Sequence, residues 1–162
     1  MEKSKAGKKF YVRKALTGVI SRLKRQGKTV VFTNGCFDLI HAGHIRLFEK
    51  AKSQGDVLVV AINSDRSLKG LKGPKRPLVP QARRAYVISA LESVDFVTVF
   101  DEQTPAKLIA ELKPDILVKG GDYKINEIIG REHVKKVVRV PLVKGQSTTQ
   151  LIKLIVSRYS KC

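Results

Sequence analysis

The sequence has no tryptophan, one methionine and two cysteines in 162 residues, and aromatic side chains make up only 6% of it. Cys36 and Cys162 lie far apart in the chain, so no disulfide framework is expected and a reducing compartment is the natural setting. With so few aromatics and no zinc-finger spacing, a stacking platform for nucleic acid is not expected, and no specific nucleic-acid partner is predicted. No apolar run approaches the roughly 18–20 residues that span a bilayer. The Lys-rich stretch 1–9 has no apolar centre and does not resemble a secretory signal. These absences predict a soluble, cytoplasmic protein with no membrane partner. Acids are scarce too: 14 Asp and Glu stand against 32 Lys and Arg, a formal charge of +18.

Such a field draws anionic partners, whether nucleotides, phosphosugars, nucleic acid or a membrane surface. Weak, salt-sensitive nucleic-acid binding follows from the charge alone, which makes a basic nucleic-acid-binding protein the non-enzymatic alternative. The distribution is more informative than the total. Residues 1–28 carry ten basic side chains and one acid, Glu2, and are expected to be a solvated arm or helix face. Residues 66–84 carry seven basic side chains and no acid, inside the folded region, where a site could use them.

What the sequence does have is rhythm. A hydrophobic fraction of 43% suits a packed core, and the length suits one domain. Helical spacing over Val12–Gln26 precedes a strand at Thr29–Thr33, a helix at Ala42–Ser53 and a strand at Val57–Ile62. Asn63–Val79, with two glycines and two prolines, is expected to be a loop. A helix opened by Pro80 and running to Leu91 follows, then a strand at Phe96–Phe100. Next comes a helix capped by Thr104 with Pro105 at its first position, and a strand at Ile116–Lys119. A short helix near Asn126–Gly130, a strand around Val137–Val140 and a helix from Thr148 to about Arg158 complete the chain. Strands alternating with helices predict a Rossmann-like α/β/α sandwich on a mostly parallel five-stranded sheet. The expected division is a basic segment and helix over 1–28, then one domain over 29–162.

In such sheets ligands sit at the carboxyl ends of the strands, which selects Thr33–His44, Asn63–Arg76, Lys119–Tyr123 and Lys144–Thr149. In the first, Asn34, Gly35, Cys36 and Phe37 form the turn, and His41 and His44 flank Gly43 at a helix start. Free backbone N–H groups, the helix dipole and two imidazoles on one face suit a phosphate. A metal pair or two capping histidines are the alternatives, but a metal would want further ligands and none is expected. Ser147, Thr148 and Thr149 offer three hydroxyls at another helix start; Ser147 with Gln150 also fits a capping box. Lys119, Gly120, Gly121 and Asp122 end a buried strand, where close approach of a ligand or a plain tight turn would use the glycines. The basic loop supplies Lys72, Lys75 and Arg76, with Arg84 opening the next helix; it is either a phosphate clamp or a solvated loop.

Gly35-Cys-Phe-Asp-Leu-Ile-His-Ala-Gly-His44 resembles the G-x-F-D…H-x-G-H signature of the cytidylyltransferase-like nucleotidyltransferases. Gly145-Gln-Ser-Thr-Thr149 resembles that family's closing phosphate motif. The string Val118-Lys-Gly-Gly-Asp-Tyr123, the Lys72-Gly-Pro…Arg76-Pro77 loop and Glu102-Gln-Thr-Pro105 are similar to the heptose 1-phosphate adenylyltransferases, which make ADP-heptose for bacterial lipopolysaccharide. The resemblance covers about Thr29 to Ile155. It implies in-line attack of a sugar phosphate on the α-phosphorus of ATP, with Mg²⁺ accompanying ATP. It places His41 and His44 at the phosphates and Lys72, Lys75, Arg76 and Arg84 on the acceptor's phosphate. Asn34–Phe37, Gly43, Lys119–Asp122 and Ser147–Thr149 then line the nucleotide. Arg84-Ala85 matches an R-A pair in sugar-phosphate relatives, where an acid usually precedes; here Arg83 stands there. Asp38 is expected to hold the first turn. The resemblance also implies pairing of two copies, and its runner-up is a glycerol-3-phosphate cytidylyltransferase.

Overall fold

The computed structural model describes residues 5–121, 123–141, 145 and 147–160. Its five strands are β1 (Val30–Gly35), β2 (Val57–Asn63), β3 (Phe96–Phe100), β4 (Ile116–Gly120) and β5 (Lys136–Val140). They form one sheet in the order β3-β2-β1-β4-β5, and every pairing is parallel. The helices are α1 (Arg13–Arg25), α2 (Ala42–Lys52), α3 (Asp65–Lys72), α4 (Gln81–Ser89), α5 (Ala106–Leu112) and α6 (Thr148–Tyr159).

The central strands are apolar on both faces because both faces are covered. Val31, Leu58, Val60 and Val118 pack under α2 and α4, through Leu47, Phe48, Ala51, Ala85 and Ile88. Val30, Phe32, Val59 and Leu117 pack under α1 and α5, through Leu16, Ile20, Leu108, Ile109 and Leu112. Three layers result. Among the described residues no helix is long and apolar enough to cross a membrane.

The structure corrects several sequence expectations. The stretch 63–79 is not all loop: Ser64 caps α3, its side chain accepting from the Ser67 N–H, and glycine Gly73 ends it. Breakers at 73, 74 and 77 hid eight helical residues whose Leu68 is fully buried. Pro105, rather than Thr104, is the residue before α5, and Pro80 likewise precedes α4. Near 126–130 there are two short 3₁₀ turns, Ile125–Glu127 and Arg131–His133. The described part of the basic segment, residues 5–28, is not a detached arm. Leu16 and Ile20 are fully buried in the second core, and Arg13 bridges Glu102 and Glu111. Lys9 donates to the Leu91 and Val94 carbonyls at 2.9 and 2.6 Å. Lys9, Arg13 and Lys24 therefore fasten one element to another, while Lys14, Arg22 and Arg25 stand exposed on α1 as a solvated helix face.

The strand order reverses direction between β1 and β4. Chains leaving these neighbours depart to opposite faces of the sheet, which leaves a crevice above their carboxyl ends. Asn34 and Gly35 on one strand and Lys119 and Gly120 on the other end at that crevice.

Candidate active site

A cleft of about 760 Å³ opens above this switch point. Its floor is Asn34, Gly35, Lys119 and Gly120, and one wall is the turn from β1 into α2. Gly35 is required there by space: a Cβ at this position would stand 2.9 Å from the Phe37 ring. Phe37 takes a left-handed φ of 43°, which drops its ring into the core against Phe48. The same kink turns the following residues up to the mouth of α2. His41 precedes that helix and His44 lies in its first turn, so the imidazoles stack with centroids 3.7 Å apart and planes at 24°. The edge of Phe37 backs His44 at 5.1 Å between centroids.

Both histidine Nδ1 atoms are buried without a hydrogen-bond partner among the described residues. Both residues line the cleft, and an unmet polar atom in such a ring is a place where a ligand or water can compensate. Burial, and secondarily the neighbouring His41, lowers the His44 pKa from 6.5 to about 4, and burial lowers that of His41. Both rings are therefore neutral at neutral pH. The unfolded chain binds its proton at His44 near pH 6.5 and the folded chain only near 4. This contribution to stability is thus complete above pH 6.5 and declines as pH falls towards 4. A polyphosphate beside the rings would favour the charged form and raise the pKa. In an NMR titration the His44 imidazole is expected to have a midpoint near 4 in the free protein. With a non-hydrolysable ATP analogue bound, that midpoint should rise by about one unit or more. A ligand-independent midpoint would show that no phosphate lies against the ring.

The opposite rim is the start of α6. Ser147, Thr148 and Thr149 all line the cleft. Ser147 caps the helix, accepting from the Gln150 N–H at 3.2 Å, and Thr148 Oγ1 donates to the Leu39 carbonyl at 3.5 Å. Two helix mouths distant in sequence, α2 and α6, thus border one cavity. Capping by Ser147 leaves the Thr149 hydroxyl and the first-turn N–H groups available to an anion.

The basic loop is tied to the first turn by Asp38. This carboxylate is buried and accepts from the N–H groups of Leu78 and Val79 at 2.9 Å, while pairing with Arg76 at 3.0 Å. Asp38 is thereby a structural clasp that sets Arg76 on the cleft wall, alongside Lys72. Cys36 also lines the cleft, but burial raises its thiol pKa despite Lys72, Arg84, Lys119 and Arg76 nearby. A thiol kept protonated is a poor nucleophile. Lys119 reaches Asn34 Oδ1 at 3.4 Å and stands 5.7 Å from the Tyr123 ring centre; burial lowers its pKa.

Fourteen of the sequence-predicted residues thus meet around one cavity: Asn34, Gly35, Cys36, Phe37, His41, Gly43, His44, Lys72, Arg76, Lys119, Gly120, Ser147, Thr148 and Thr149. Three do not. Lys75 is exposed and lies off the cleft wall. Gly121 turns away, its N–H donating to the Val140 carbonyl at 3.0 Å. Arg84 is the main correction: its side chain is fully buried. Its guanidinium donates to the carbonyls of Val79, Cys36 and Asn63 and to Asp65, at 2.6–2.9 Å. Four of its five N–H groups are taken and the side chain has no exposed surface, so it does not reach an acceptor phosphate in the cleft. Asp122 lies outside the described residues. The cleft also recruits Leu71 and Glu127, which the sequence did not single out, and Gln103, Thr104 and Tyr123, which it marked only as parts of family-like strings without assigning them to the site.

The cytidylyltransferase-like family model matches residues 32–156. The chain is 48% identical over 157 residues to the bifunctional protein HldE of Syntrophotalea carbinolica, covering 94% of this chain and 32% of that protein. It is 51% identical over 150 residues to the bifunctional protein HldE of Geobacter sulfurreducens, covering 90% of this chain and 31% of the relative. It spans about a third of the length of these curated relatives. The crystal structure of the lipopolysaccharide core biosynthesis protein from Thermoplasma volcanium is similar at a TM-score of 0.64 and 31% identity, over 73% of this chain and 100% of that one. A pantoate-beta-alanine ligase from Francisella tularensis shares the fold at a TM-score of 0.60 and 17% identity, over 94% of this chain and 79% of that one.

Proposed function

This chain belongs to the cytidylyltransferase-like family of nucleotidyltransferases, and from that premise we propose that it transfers AMP from ATP to heptose 1-phosphate, giving ADP-heptose and pyrophosphate. The observation that carries the proposal is the convergence of the His41–His44 pair and the Ser147–Thr149 hydroxyls on one cleft at the switch point. The similarity to HldE proteins, near 50% identity across most of the chain, supports the heptose branch.

The chemistry needs no protein nucleophile. An oxygen of the acceptor phosphate attacks the α-phosphorus as the bond to the β-phosphate oxygen breaks, and pyrophosphate leaves on the opposite side. The protein's part is to hold both reactants in line and to meet the growing negative charge. His41 and His44 do this at the α-phosphate and the bridging oxygen. The mouth of α6 receives the β- and γ-phosphates, and Lys72 and Arg76 hold the acceptor's phosphate. Mg²⁺ enters as part of its substrate, MgATP, held by phosphate oxygens. Asp38, the carboxylate on the cleft's first turn, is committed to its N–H partners and to Arg76.

The test is pyrophosphate release from ATP or CTP, each paired with heptose 1-phosphate or glycerol 3-phosphate. ATP with heptose 1-phosphate is expected to give the fastest turnover. Preference for CTP with glycerol 3-phosphate would replace this proposal by its runner-up.

A further inference from the structure

We infer that Gln103 and Thr104, on the loop between β3 and α5, read the hydroxyl groups of the acceptor sugar; this rests on the nucleotidyl transfer proposed above. In-line displacement puts the attacking oxygen and the leaving pyrophosphate on opposite sides of the α-phosphorus. Pyrophosphate leaves towards α6, which follows β5. In the sheet order β3-β2-β1-β4-β5, that strand lies on one side of β1 while β2 and β3 lie on the other. The cations left for the acceptor, Lys72 and Arg76, enter the cleft after β2, which places the acceptor over the ends of β2 and β3.

Two kinds of side chain reach the cleft from there. After β2 come Lys72 and Arg76, cations suited to the acceptor's phosphate. After β3 come Gln103 and Thr104, which are uncharged, exposed and able to donate and accept hydrogen bonds. An amide and a hydroxyl suit a polyol rather than a phosphate, and they lie at the end of the cleft that a sugar would occupy. The two residues before them, Asp101 and Glu102, are tied to neighbouring elements. The Glu102 carbonyl accepts from Ser67 Oγ at 2.7 Å, the Glu102 carboxylate pairs with Arg13, and Ser64 and Arg66 both bind Asp101. A loop fastened at Asp101 and Glu102, directly before two polar side chains with no partner among the described residues, is preorganised for recognition.

The experiment compares the unsubstituted protein with Thr104→Val, Thr104→Ser and Gln103→Leu by pyrophosphate release, varying ATP and heptose 1-phosphate separately, with melting temperature as the folding control. For Thr104→Val and Gln103→Leu, the KM for the sugar phosphate is expected to rise about tenfold each, the loss of one hydrogen bond, while the KM for ATP and kcat stay within about threefold. Thr104→Ser keeps the hydroxyl and should behave as the parent. A rise in the KM for ATP instead would place the nucleotide at this end and overturn the assignment, as would unchanged constants for both substrates. Absence of turnover in the unsubstituted protein with any sugar phosphate would overturn the proposed transfer itself.

Discussion

His44→Ala is expected to give a folded protein whose kcat is lower by about 100- to 1000-fold, the usual cost of removing one group that stabilises charge developing in the transition state. Folding should survive because His44 stands half-buried on the cleft wall, its ring contacts being with His41 and the Phe37 edge. Losing those ring contacts costs about 1 kcal/mol, small beside the stability of a domain. The KM for ATP should change much less than kcat if the imidazole acts chiefly on the leaving group. His133 offers an internal control, since it lies in a short turn away from the cleft. His133→Ala should turn over as the parent does. Near-normal turnover by a folded His44→Ala protein would remove the imidazole from the chemistry and leave the cleft as a binding site only.

The second large effect is on stability. Arg84→Met is expected to cost about 3–5 kcal/mol, the range for breaking a buried charged network. In a domain of this size that lowers the melting temperature by roughly 10 °C. The guanidinium binds the first turn at Cys36, the end of β2 at Asn63, the loop at Val79 and the Asp65 carboxylate. A methionine of similar length leaves those carbonyls buried without donors. Arg84→Lys should recover little, because one ammonium cannot reproduce a planar fork directed at four acceptors. Thermal unfolding read alongside acceptor kinetics separates the roles. A variant with unchanged melting temperature and a raised KM for the acceptor would restore Arg84 to the phosphate site.

Arg84 also shows where reading a sequence stops. An arginine opening a helix beside a basic loop has the composition of a phosphate ligand, and nothing in its neighbours along the chain reveals the four acceptors that occupy it. Those acceptors lie 5, 19, 21 and 48 residues away. Only the folded chain brings them to one point. Asp38 differs in that its short reach and its place in a turn implied a structural role. Its partners Leu78 and Val79, 40 and 41 residues on, became known only from the fold. The same limit explains Gln103 and Thr104. Along the chain they belong to a family-like string that opens a helix and carry no sign of a ligand, and their place in the cleft depends on β3 adding to the sheet beside β2.

The sequence by itself determined the layered α/β architecture, because strand and helix periods are local and each leaves its own spacing of apolar residues. It also determined the motifs that stand at the mouths of α2 and α6, because glycine, histidine and hydroxyl residues at a helix start carry their chemistry with them. The tertiary structure alone decided that these mouths share a cavity, which basic side chains face it and which are spent on holding the fold together. Those outcomes rest on strand order and on hydrogen bonds between residues far apart in the chain, and no short window of sequence contains both partners of such a bond.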